Sequence, residues 1–218
     1  MKSLLLSSLM LCLLFCCSFP RYEELNNAGS IFLDRNELPP LISKPSEKLV
    51  YKASINAFGN YLSGLLIFKN LENGETRVAM ISELGFNVFD FGFTGDTSQL
   101  YFILEPMRKS YIINTLKNDM KLLLMQNNIG KKADMLTDNK KSFHIMKIEF
   151  EDYNNYYYFR NGVSKPFKME NSSLWLKNVS IDFYSWENDV PDSLLLSHFN
   201  FNLSIKMKRV KEKTEDAD

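Results

Sequence analysis

Downstream of Ile55 the chain alternates short apolar runs, rich in Phe, Tyr, Ile and Val, with clusters of Asn, Gly, Asp and Pro. That spacing predicts many short antiparallel strands. Segments 61–68 and 76–82 pair across 70–74, where Asn73-Gly74 is a strong hairpin signal. Segment 86–93 continues the meander, with Gly92 and Gly95 marking a bend, and a short strand follows at 101–104. Further strands are expected at 143–150, 156–160, 167–171, 179–186 and 194–207. In the last of these, Leu195, Phe199, Phe201, Leu203, Ile205 and Met207 fall largely on one face. His198, Asn200, Asn202, Ser204 and Lys206 fall on the other, so one side of the sheet is wet.

The pattern changes over 110–126, where Ile112, Leu116, Met120 and Leu124 recur every fourth residue and Ile113 and Leu123 widen the stripe. This is the signature of one amphipathic helix. Gly130-Lys131-Lys132 closes it, and the polar stretch to Lys141 reads as a loop. The expected class is mainly β (α+β): a curved, incompletely closed antiparallel sheet or barrel, with the helix packed on its concave side.

The N-terminal region has another character. Lys2 precedes an apolar run of about 12 residues ending near Phe15, too short for the ~20 residues of a spanning helix and typical of a signal peptide. All three cysteines, Cys12, Cys16 and Cys17, lie in or at the end of this run. Leu14-Phe15-Cys16-Cys17 resembles a bacterial lipobox, with Leu14 three places and Cys16 one place before Cys17. Cys17 is the position to be acylated, which would hold the protein at a membrane; an ordinary signal peptide with incidental cysteines is the alternative. Pro20, Pro39, Pro40 and Pro45 rule out a long helix in the next stretch, although a short one is possible around 21–26 or 47–54. The expected organisation is signal peptide 1–16, lipid-anchored tether 17–48, β domain 49–209 and charged tail 210–218.

Composition narrows the chemistry. Lys plus Arg and Asp plus Glu are balanced at 26 each, so no general field gathers nucleic acid. No G-x-S-x-G, H-E-x-x-H, C-x-x-C, P-loop or G-x-G-x-x-G spacing occurs. His144 and His198 are the only histidines and have no carboxylate at helical or hairpin spacing. Glu149, Glu151 and Asp152 form an acidic turn that reads as solvated. A non-enzymatic protein with no cofactor and no metal is expected. The richness in aromatics, with 17 Phe and 10 Tyr, suits either a packed core or a concave surface for acyl chains.

In this order of elements the chain resembles the LolA/LolB family of lipoprotein carriers, LolB most, which is itself a lipoprotein. Tyr61-Leu62-Ser63-Gly64 with its hairpin resembles the family's opening strand pair. Ile81-Ser82-Glu83-Leu84-Gly85-Phe86 resembles the strand-loop-strand that carries its Leu-Gly, and Pro191-Asp192-Ser193-Leu194 leading to Ile205-Lys206-Met207 resembles its closing strands. The likeness spans about residues 50–208; the chain departs from it in lacking tryptophans in the first hairpin. The resemblance implies an outer-membrane lipoprotein of the cell envelope that binds acyl chains or lipoproteins. It makes Leu84, reinforced by Phe86, a protruding contact for acyl transfer, where the alternative is a turn residue packed inward. The rival function is an assembly lipoprotein that docks an envelope protein partner and has a filled core.

Overall fold

The computed structural model describes residues 25–34, 38, 40–42, 44, 47–57, 59–137, 143–173, 176–187 and 189–211. Cys12, Cys16 and Cys17, and with them the expected leader and acylation position, lie outside the described residues.

The described residues form one antiparallel sheet of thirteen strands. In chain order these are β1 (Asn26–Phe32), β2 (Lys48–Ala57), β3 (Asn60–Asn70), β4 (Thr76–Ser82), β5 (Asn87–Thr94), β6 (Thr97–Ile103) and β7 (Lys132–Thr137). They continue with β8 (Phe143–Glu149), β9 (Asn154–Arg160), β10 (Pro166–Ser172), β11 (Lys177–Glu187), β12 (Val190–His198) and β13 (Leu203–Arg209). In space the order is β1, β7, β8, β9, β10, β11, β12, β13, β2, β3, β4, β5, β6. Two meanders, β2–β6 and β7–β12, are thus joined through β13, and β1 and β6 remain as the sheet's edges. Among the described residues the architecture is the curved, incompletely closed sheet with one α-helix that the sequence predicts.

Side-chain alternation explains which face is buried. In β2, Leu49, Tyr51, Ala53 and Ile55 are buried, while Lys48 and Lys52 are exposed. The same period puts Leu66 and Phe68 of β3, Val78 and Met80 of β4, and Phe89, Phe91 and Phe93 of β5 on that face. The helix α1 (Ser110–Leu124) buries Leu116, Met120, Leu123 and Leu124 in the same cluster. Each such aliphatic side chain contributes about 1.5–3 kcal/mol by leaving water.

Several boundaries differ from those read in the sequence. The segment 47–54, one of two places where the sequence allows a short helix, is instead largely strand β2, because Leu49, Tyr51 and Ala53 meet Phe68, Leu66 and Gly64 of β3 across the ladder. Part of the stretch expected to be a tether is folded. Asn26–Phe32 pairs with β7, and Leu33, Leu38, Leu41 and Ile42 are buried in the core. That pairing also makes a strand of Lys132–Thr137, expected as loop. Helix α1 ends at Leu124, where buried Met125 turns left-handed at φ +56° and its N–H returns to the Lys121 carbonyl. The expected long strand 194–207 is two strands, β12 and β13, because Phe199-Asn200-Phe201-Asn202 turns the chain back. The face pattern reverses with it: Leu194 and Leu196 are buried and Leu195 only half-buried.

Candidate functional site

Helix α1 lies across the concave face, held by polar contacts in its C-terminal half and just beyond its end. Lys121 Nζ donates to the Asp96 carbonyl at 2.7 Å, and Gln126 Nε2 donates to Thr76 Oγ1 at 2.9 Å. The central tie is Asp119, whose two carboxylate oxygens lie 3.0 Å from His198 Nε2 on β12. Both side chains are buried, and the His198 ring stacks on Phe201 with centroids 4.4 Å apart. Burial pushes the Asp119 carboxyl up, against the opposing hydrogen bond from His198. Sequence reasoning left His198 without a carboxylate because its partner lies 79 residues away on the helix. His144 stacks on Phe159, with centroids 5.0 Å apart.

Under the C-terminal end of α1, Leu122, Met125, Asn128, Phe150, Tyr153 and Tyr157 surround a pocket of about 20 Å³. That holds about one water, against about 300–1,000 Å³ for ligand pockets. Asn128 Nδ2 donates to the Tyr157 hydroxyl at 2.8 Å, and burial pushes this phenol well above its ordinary range. Elsewhere along α1, Leu116, Met120, Leu123 and Leu124 are buried in the core cluster with the side chains of the sheet.

The two residues singled out by the sequence lie together elsewhere, at the tip of the β4–β5 hairpin. Ser82 N–H donates to the Phe86 carbonyl at 2.8 Å, and Gly85 N–H to the Ser82 carbonyl at 2.9 Å. Gly85 takes φ +82°, a left-handed turn that glycine adopts without strain. Phe86 N–H also reaches Ser82 Oγ. This clasp points Leu84 and Phe86 outward, 82% and 64% exposed, so Leu84 protrudes and is not packed inward. Gly64 sets the hairpin on the sheet. A Cβ there would stand 2.0 Å from the Ile81 carbonyl oxygen and 2.8 Å from Ser82 Cα, so only glycine allows β4 to lie so close.

The convex face carries a second polar centre. Glu170 on β10 receives Lys177 Nζ at 2.5 Å, Lys168 Nζ at 2.9 Å and the Tyr158 hydroxyl at 2.9 Å. Its burial alone would raise its carboxyl, but the three hydrogen bonds outweigh that and hold it at about 2. On the acidic turn, Glu149 meets Lys147 at 3.7 Å, and among the described residues no three His, Cys, Asp or Glu side chains converge.

No family profile matches the chain, and no curated protein matches it in sequence. Solved structures do match in fold. A LolA superfamily protein from Nitrosomonas europaea superposes with a TM-score of 0.50 at 9% identity, over 81% of this chain and 89% of that one. An outer membrane lipoprotein-sorting protein domain from Vibrio parahaemolyticus gives 0.46 at 8% identity, over 78% and 87%. A DUF1329 family protein from Desulfovibrio piger gives 0.41 at 9% identity, over 79% and 88%. The first of these places the sheet and helix in the LolA type of fold, in agreement with the resemblance read from 50–208.

Proposed function

We propose that this is a non-enzymatic lipoprotein of the bacterial envelope, anchored through Cys17, that takes up the acyl chains of lipoproteins or other lipids and passes them to a membrane. The observation that carries the reading is the LolA type of fold with a leucine standing free at a hairpin tip, where a soluble protein gains nothing by exposing it. Acyl chains would lie against the concave face. The stripe of α1 covers that face now, so uptake requires the helix to move, with about 0.8 kcal/mol returned for each methylene buried. Leu84 and Phe86 would form the contact through which cargo leaves. The outer membrane, reached from the periplasm, is the expected destination.

Native mass spectrometry of residues 18–218 tests this, because every buried hydrophobic residue among the described ones lies between Leu33 and Met207 and is retained. Lipid-sized adducts, or uptake of a triacylated lipopeptide, are expected. A clean apo mass after incubation with the lipopeptide would refute the carrier reading. One observation favours the assembly lipoprotein with a protein partner instead: Leu116, Met120, Leu123 and Leu124 of α1 are buried against the sheet, as a filled core requires. That reading expects the apo mass and a lipid-indifferent fold.

A further inference from the structure

The ladders place a series of turns along one rim of the sheet. Ala57 of β2 faces both Asn60 and Leu203, so the β2–β3 and β12–β13 turns lie side by side. The pairing of Gly64 with Ser82 brings the β4–β5 hairpin to the same rim. His198 opposite Val179, and Ser172 opposite Lys177, add the β10–β11 turn. In sheet order, this rim presents Leu176, then Phe199, then Tyr61, then Leu84 with Phe86, each more than half exposed. Turns are ordinarily polar, and here three of these four carry large apolar side chains, while Tyr61 stands at the start of β3 beside the fourth, its hydroxyl donating back to Ser54 Oγ at 3.1 Å. At the other rim the exposed apolar residues Val163, Tyr184 and Val210 are all under half exposed.

We infer that this rim, through Tyr61, Leu176 and Phe199 as well as the hairpin tip, is a docking surface for the interface of a lipid bilayer. Turns of successive hairpins are two strands apart, about 10 Å, so the side chains form separate prongs and not a continuous patch. A bilayer interface yields to prongs one by one, whereas a rigid protein surface rewards a contiguous, shape-matched face. Phe and Tyr are the side chains that settle at that depth. The residues between them suit the headgroup level: Asn60, Asn87, Asn200 and Asn202 are polar and uncharged, and Glu83 is the one carboxylate among these tips. The inference rests on the carrier reading only for Leu84 and Phe86, and the test leaves both unchanged.

The test uses residues 18–218, free of the N-terminal lipid, and flotation with neutral vesicles of phosphatidylcholine and phosphatidylethanolamine. The unaltered chain is expected to float with the vesicles. Tyr61→Glu, Leu176→Glu and Phe199→Glu together are expected to lower the partition by about tenfold or more. Val163→Glu, Tyr184→Glu and Val210→Glu, which add the same charge at the other rim, are expected to leave it unchanged. All six side chains are exposed; Tyr61 gives up its hydrogen bond to Ser54 Oγ and Phe199 its place 4.3 Å under Lys177 Nζ, so the thermal midpoint of each triple variant is measured alongside and is expected to fall by no more than a few degrees. An unaltered chain that ignores vesicles would overturn the inference and give the rim to a protein partner. Equal floating of the parent and the first variant, or equal loss in both variants, would overturn it too. Lipopeptide uptake, measured on the same samples by native mass spectrometry, decides the carrier reading separately, since neither triple variant touches the concave face.

Discussion

At one rim of the sheet the turns are stitched by charge. Lys211 bridges Glu187 at 2.6 Å and Asp192 at 3.5 Å, and Lys165 meets Asp189 at 2.7 Å. At the other rim Leu176, Phe199, Leu84 and Phe86 in the turns, and Tyr61 at the start of β3, stand in the open. The same ladder built both ends, and the strands between them share one core, so folding does not require the difference. Exposed ion pairs contribute little stability and exposed apolar tips contribute none. The contrast is the one that the proposed docking of the second rim at a bilayer requires, with water at the first.

The comparison is sharpest if the fold is held by the band between the rims and not by the tips. The largest expected effect is at the helix tie. Asp119→Ala leaves buried His198 without its partner and should cost about 4 kcal/mol in urea unfolding. A loss under about 1 kcal/mol would mean that α1 is scarcely locked to the sheet. Next comes Glu170. Its folded value of about 2 lies below the ordinary 4.5, so its stabilisation is complete above pH 4.5 and disappears as pH falls through 2. About 3 kcal/mol should be lost over that window, and Glu170→Gln should flatten the acid limb of the stability profile. An unchanged acid limb in the variant would remove Glu170 from the supporting band.

Gly64→Ala should cost about 2 kcal/mol by forcing β4 off β3, and should broaden the amide resonances of 81–86. Sharp, unshifted resonances there would separate the hairpin from its glycine seat. The smallest effects belong to the rims themselves. Leu84→Glu and Phe86→Glu should stay within about 0.5 kcal/mol of the parent, and Lys211→Ala should leave the midpoint unchanged. A clear destabilisation by either tip substitution would show that those side chains pack, and the contrast between the rims would collapse.

Much of this architecture is legible in the residues. The Asn73-Gly74 turn, the stripe of Leu116, Met120 and Leu123, and the alternation in the aromatic strands are local signals, and each produced its element. The misreadings come where a partner decides. Asn26–Phe32 is rich in turn-forming residues and becomes a strand only because β7 lies beside it; Lys132–Thr137 is strand for the same reason. Phe199-Asn200-Phe201-Asn202 alternates like a strand yet turns, with Phe199 N–H bonded to the Asn178 carbonyl across the sheet. Leu84 was found through a short Leu-Gly pattern, and its exposure through the hairpin clasp. The Asp119–His198 tie and the apolar rim join residues far apart in sequence, and they emerge only once the ladder order is known.

The place of β13 sets a timetable. It is the last strand to leave the ribosome among those described, yet it sits at the seam between the two meanders, paired with β12 on one side and β2 on the other. Its contact with β2 spans about 150 positions of chain, as in Ile205 opposite Ile55. Long-range pairing of this kind is slow to form. Until Leu203–Arg209 is available, β12 and β2 lack the strand that joins them, so the ladder cannot be completed early in synthesis. If the chain is exported as the proposed leader implies, such a delay would help it to cross a membrane unfolded, with the closing contact left to the last of the described strands.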